Sequence, residues 1–117
     1  MREGRGMARH EFAILKQTPS WDDIFDRYEP ERYRCIAVDD DFIEPILTDL
    51  REMDCYWHTL EKPEKGLAYY GITLIPPQSL ETFLRIISSQ NKREYAPLIQ
   101  MAMDAKENGN YLIHFGI

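Results

Sequence analysis

Gly66-Leu67-Ala68-Tyr69-Tyr70-Gly71-Ile72-Thr73-Leu74-Ile75, then Pro76-Pro77, then Gln78 to Ile87, is the stretch that sets the architecture. Its first half is rich in β-branched and aromatic residues, the types that suit a pleated, half-buried surface. The double proline cannot donate to a strand ladder and stops the run. Beyond it, Leu80, Phe83, Leu84 and Ile87 recur at the spacing of one helical face, and Ser79 is placed to cap the first turn. A strand over 67–75, a hard stop and a helix from Ser79 follow. Gly71, inside the strand, marks a bulge or a close backbone approach.

Working upstream, Cys55 to Leu60 and Tyr33 to Val38 are two more strand segments. Between them, Asp39-Asp40-Asp41 opens a helix whose apolar stripe is Phe42, Ile43, Ile46, Leu47, Leu50 and Met53, with Pro45 in its first turn. Glu61 to Gly66 is polar and holds Pro63, so it reads as the turn of an antiparallel hairpin. Downstream, Tyr95, Leu98, Ile99, Ala102 and Ala105 mark a helix. It starts at an Asn91/Glu94 capping box or nearer Pro97, and it stops at Asn108-Gly109. Tyr111 to Ile117 is the last strand. Strand, helix, strand, strand, helix, strand is the split β-α-β order of ferredoxin-like folds.

The expected fold is therefore α+β. An antiparallel sheet of four strands carries its helices on one face, and the run Glu11 to Lys16 offers a fifth strand at an edge. An N-terminal helix is expected from Ser20, with Trp21, Ile24, Phe25 and Tyr28 on one side and Pro30 at its end. Residues 1–10 are Gly- and Arg-rich without periodicity and read as a disordered basic arm. Residues 11–117 form the single domain. His10 falls in the arm and receives no role.

The chain has 117 residues, 44% of them hydrophobic, enough for one domain with a real core. No run approaches the roughly 18 apolar residues of a membrane span, and residues 1–10 hold no apolar signal-peptide core. The expected compartment is the cytoplasm, with Cys35 and Cys55 as reduced thiols in apolar surroundings. The net charge is −6. Residues 1–10 carry three arginines against one glutamate, which leaves eleven bases, nineteen acids and a net −8 for the rest. Such a body repels a phosphate backbone, so nucleic acid is excluded as a partner and a basic protein is favoured.

Side chains alternate along strands. With Tyr111, Ile113 and Phe115 turned to the helices, His114 faces away from them. With Trp57 turned in, Tyr56 and His58 look out; with Ile72 and Leu74 turned in, Tyr69 and Thr73 do the same. The expected contact surface is an open sheet face of Tyr56, His58, Tyr69, Thr73 and His114. In a ferredoxin-like sheet, His58 and His114 stand on opposite edges, roughly 14 Å apart, too far for a shared metal or a direct proton relay. Cys55 and His58 point to opposite faces and form no thiol–imidazole couple. Asp39, Asp40 and Asp41 occupy a place where carboxylates can hold Mg²⁺, but no phosphate loop or lysine accompanies them. They read as a helix start and as acids open to a basic partner.

No catalytic residue, metal or cofactor is expected. In general character the chain is similar to bacterial immunity proteins, which neutralise toxins by binding them; the similarity attaches to no particular residue. The expected function is a small acidic binding protein of immunity or antitoxin type that captures a basic protein. The alternatives are a ligand-binding module or enzyme on the Tyr/His face, and a homodimer paired through that face or the Tyr111 to Ile117 edge.

Overall fold

A computed structural model describes residues 8–117; residues 1–7, most of the expected arm, lie outside the described residues. The domain is α+β, with a six-stranded antiparallel sheet. In chain order the strands are β1 (Arg9–Leu15), β2 (Ile36–Asp39), β3 (Asp54–Trp57), β4 (Pro63–Lys65), β5 (Ile72–Ile75) and β6 (Tyr111–Phe115). Across the sheet they run β2-β1-β6-β5-β3-β4. Four or five strands in the ferredoxin-like arrangement were expected. The sixth strand is part of the expected polar turn: Pro63 begins a short edge strand against Tyr56, where its missing N–H harms nothing. The Glu11 to Lys16 run is not an edge. It extends back through His10 and Arg9 and lies between β2 and β6.

The helices behave much as their spacing requires. Helices α1 (Asp40–Ile43) and α2 (Leu47–Leu50) are joined by the 3-10 turn Glu44–Ile46, where Pro45 breaks regular α geometry. Ile43, Ile46 and Leu50 are buried. Helix α3 (Leu80–Ser89) buries Leu80, Phe83, Ile86 and Ile87. Helix α4 (Ala96–Asn108) starts beside Pro97, which lies in its first turn, rather than at an Asn91/Glu94 box, and ends where Gly109 takes φ 67°. Ser79 does not cap α3; its hydroxyl donates to the Asp54 carbonyl at 2.6 Å and ties the helix start to β3.

The expected N-terminal helix is absent. Within 16–29 the chain forms bends, a turn and irregular segments. Ser20 N–H donates to the Asp23 carboxylate at 2.8 Å, a bond of the kind found at helix starts, yet no helix follows it. Phe25 N–H donates to the His58 carbonyl at 2.7 Å, so it cannot serve a helical i−4 bond. Residues 16–35 lie over the sheet and place Phe25, Tyr33 and Cys35 against it.

The sheet thus has apolar cover on both faces. On the helix side Phe12, Val38, Cys55, Ile75 and Leu112 meet Leu80, Phe83 and Leu98. On the other side Ala13, Leu15, Ile72, Leu74, Ile113 and Phe115 meet the 16–35 segment, with Tyr56, Leu60 and Tyr111 alongside. No helix among the described residues is long and apolar enough to cross a membrane.

Candidate functional site

Register decides which polar side chains meet. Ile36, Phe12, His114, Thr73 and Trp57 are successive partners across β2, β1, β6, β5 and β3, so all five share one face. That is the helix face. The expected open face of Tyr56, His58, Tyr69, Thr73 and His114 therefore does not exist. His114 and Thr73 point beneath the helices with Trp57, while Tyr56 packs in the opposite cluster. The parity expected for β3 holds, and that for β5 and β6 is reversed.

What the reversal creates is a buried hydrogen-bond chain. His10, His114 and Thr73 have no exposed surface. His10 Nε2 meets Asp40 Oδ1 at 2.9 Å, and Tyr69 donates its hydroxyl to Asp40 Oδ2 at 2.7 Å. His10 Nδ1 meets His114 Nε2 at 2.9 Å, and His114 Nδ1 meets Thr73 Oγ1 at 3.2 Å. Ala68 N–H donates to Thr73 Oγ1 at 2.7 Å.

The chemistry of the groups orders the protons. The Asp40 carboxylate accepts, so His10 carries its proton on Nε2. Its Nδ1 then accepts, and His114 donates from Nε2. His114 Nδ1 is left to accept from the Thr73 hydroxyl, whose oxygen takes the Ala68 amide. Every bond runs in one direction toward Asp40, with both imidazoles neutral. Burial holds His114 well below its ordinary value, and the proton on its neighbour His10 would lower it further. Burial also lowers His10, against the pull of Asp40. The bond to Asp40, reinforced by partial burial, raises the Tyr69 hydroxyl to about 12.

Of the expected site residues, Asp40, Tyr69, Thr73 and His114 are brought together, but as an interior lock rather than a surface. Asp39 caps α1, accepting from the Asp41 amide at 2.9 Å. Asp39→Ala is expected to lower stability by about 1 kcal/mol, measured by urea unfolding. Asp41 is exposed. His58 stands apart, with φ 68°, and its Nδ1 meets the Phe25 carbonyl at 2.9 Å. Gly71 marks a close approach here, since a Cβ on it would lie 2.8 Å from His58 Nε2. His10, assigned to the arm from sequence, is the central member of the lock. The signal was available: His10, Phe12 and Ile14 alternate with Arg9 and Glu11, a period-two pattern that carries the strand back to residue 9.

His114 and Thr73 are sealed, and their ring and hydroxyl positions are spent on one another. Burial pushes the Cys35 thiol up to about 11 and the Cys55 thiol to about 12, away from thiolate character. Among the described residues, no three His, Cys, Asp or Glu side chains converge as a metal would require. The edges of the sheet are β2 and β4, so the Tyr111 to Ile117 segment has no free edge with which to pair.

The outward features lie elsewhere. Trp21, Ile24 and Tyr28 are 62%, 69% and 63% exposed on the segment covering the sheet, interleaved with Asp22, Asp23 and Asp26. Tyr70, beside the lock residue Tyr69, is 80% exposed. Compared with family models, with curated proteins and with solved structures, the chain matches none.

Proposed function

We propose that this is a non-catalytic acidic binding protein that captures a basic protein partner, as immunity and antitoxin proteins do. The observation that carries the reading is the charge distribution. Residues 8–117 hold nineteen acids against twelve Lys and Arg. Among the described residues, Lys and Arg side chains form just three ion pairs, through Glu29, Asp54 and Glu52. The remaining carboxylates set the field that a partner meets, and such a field speeds the approach of a basic surface. The exposed Trp21, Ile24 and Tyr28 lie within that field, and Trp and Tyr are the residue types that most often anchor interfaces.

The test is affinity capture from the native cell on the immobilised protein, eluted in a salt gradient and identified by mass spectrometry. A basic protein enriched over a blank resin and released by rising salt is the expected result. Enrichment of acidic or neutral proteins alone, or binding indifferent to salt, would overturn the reading.

A further inference from the structure

Across the sheet from the lock, on the face opposite the helices, lies a cleft of about 430 Å³. The 16–35 segment lends it Asp26 and Tyr28, the 67–71 turn lends it Tyr70, and β1 lends it Arg9 and Glu11. We propose that this cleft receives an arginine side chain presented by the basic protein partner. The proposal rests on the binding reading above and names where that partner is held.

A guanidinium is a flat cation that stacks on aromatic faces and donates in its own plane. The cleft supplies both kinds of contact. Tyr28 and Tyr70 are large rings left mostly uncovered, at 63% and 80% exposure. Tyr28 is held ready: its hydroxyl donates to Glu11, and its ring stands edge-on to Phe115 with centroids 5.5 Å apart. Tyr70 is set by an edge contact with Tyr69 at 4.9 Å, and Tyr69 is itself fixed to Asp40. Rings placed in advance lose little freedom when a ligand arrives.

Acceptors are present as well. Asp26 takes part in none of the ion pairs among the described residues. His58 also lines the cleft. Its Nδ1 carries a proton to bond the Phe25 carbonyl, and its Nε2 lies against Gly71. Among the described residues Arg9 is the one Lys or Arg on the wall, and against Asp26 and Glu11 it leaves them net negative. A lysine would gain the charge contact without the planar stacking, so arginine fits better.

The probe is an acetyl-Gly-Arg-Gly-amide peptide, with the same peptide carrying citrulline as its uncharged counterpart, titrated into the full chain and followed by amide NMR. Shifts at Tyr70, Gly71, Ile72 and Gly116 are expected with arginine and not with citrulline. Asp26→Asn and Tyr70→Ala each change an exposed side chain, and each should weaken the arginine peptide about fivefold. Arg9→Ala should strengthen it. Equal shifts with citrulline, shifts confined to other amides, or no response to Asp26→Asn would overturn the proposal. Salt-sensitive capture of a basic protein that persists unchanged in the Asp26→Asn, Tyr70→Ala double variant would reject the cleft while leaving the wider binding reading in place.

Discussion

Between about pH 7.5 and pH 5.5, the free energy of unfolding is expected to fall by about 1.4 kcal/mol in all for a histidine that the fold keeps neutral throughout. His114 is held well below its usual value of 6.5, and His10 is held below it too. An unfolded chain protonates both near that value. Below it the unfolded state binds protons that the folded state refuses, so stability is complete above about pH 6.5 and drains away as the pH falls toward the folded values. The neighbours sort the two rings. His10 faces Asp40 from α1, which favours its protonation, and Val38 from β2. His114 faces His10 and Phe12 from β1 and Thr73 from β5, none of them a negative charge. His114 should therefore contribute the steeper part.

Urea unfolding at a series of pH values measures this directly. His114→Leu supplies the control. It should remove about one proton from the slope and lower stability near pH 7.5 by about 2 kcal/mol, because the Thr73 hydroxyl and His10 Nδ1 lose their partner. Stability that stays level across the range would mean that the buried rings titrate normally, and the proton ordering in the lock would then be wrong.

Gly116→Ala should be among the most damaging single-methyl changes in the domain, about 3 kcal/mol or more. A Cβ at that position would lie 2.2 Å from the Tyr69 carbonyl oxygen and 2.8 Å from that of Ala68. Both are backbone atoms, which cannot swing aside as a side-chain tip would. Gly116 N–H donates to the Gly71 carbonyl at 2.7 Å, and Ile117 N–H to the Tyr69 carbonyl at 3.0 Å. The methyl therefore forces apart the very contact that holds the 67–71 turn, and with it the Tyr69 bond to Asp40. Gly109→Ala is the comparison: its Cβ would meet nothing within 4 Å, so only its φ of 67° is penalised, at about 1 to 2 kcal/mol. Urea unfolding of both variants, with amide exchange across 67–71, separates the two mechanisms. If Gly116→Ala were as mild as Gly109→Ala, the packing of the turn on the final strand would be refuted.

The elements that proved legible are those with one buried side. Leu80, Phe83 and Ile87 fell on the buried face of α3, and the Asn108-Gly109 stop held, because helical spacing against solvent is unambiguous. The sheet was harder for a definite reason. All four residues of Ile72–Ile75 are buried, as are four of the five in Tyr111–Phe115. A strand covered on both sides carries no contrast from which to tell inside from outside. Hydrophobicity alone favours Ile113 and Phe115 as the helix-facing set, and that assignment places His114 on the wrong face. The hidden cover was the 16–35 segment. Its Trp21, Ile24, Phe25 and Tyr28 mimic a helix in spacing, whereas the Phe25 N–H and carbonyl are both bonded to His58. Asp40 and Tyr69 stand out in the sequence, whereas the Gly- and Arg-rich residues before His10 mask the strand that carries it to them.

The central position of β6 has a bearing on how the molecule is made. Its two flanking strands come from residues 9–15 and 72–75, so neither can complete its ladder until Tyr111–Phe115 has been synthesised. Contacts this distant in sequence make for slow folding. During translation both flanks offer unpaired backbone to other chains, the condition under which nascent proteins most depend on chaperones.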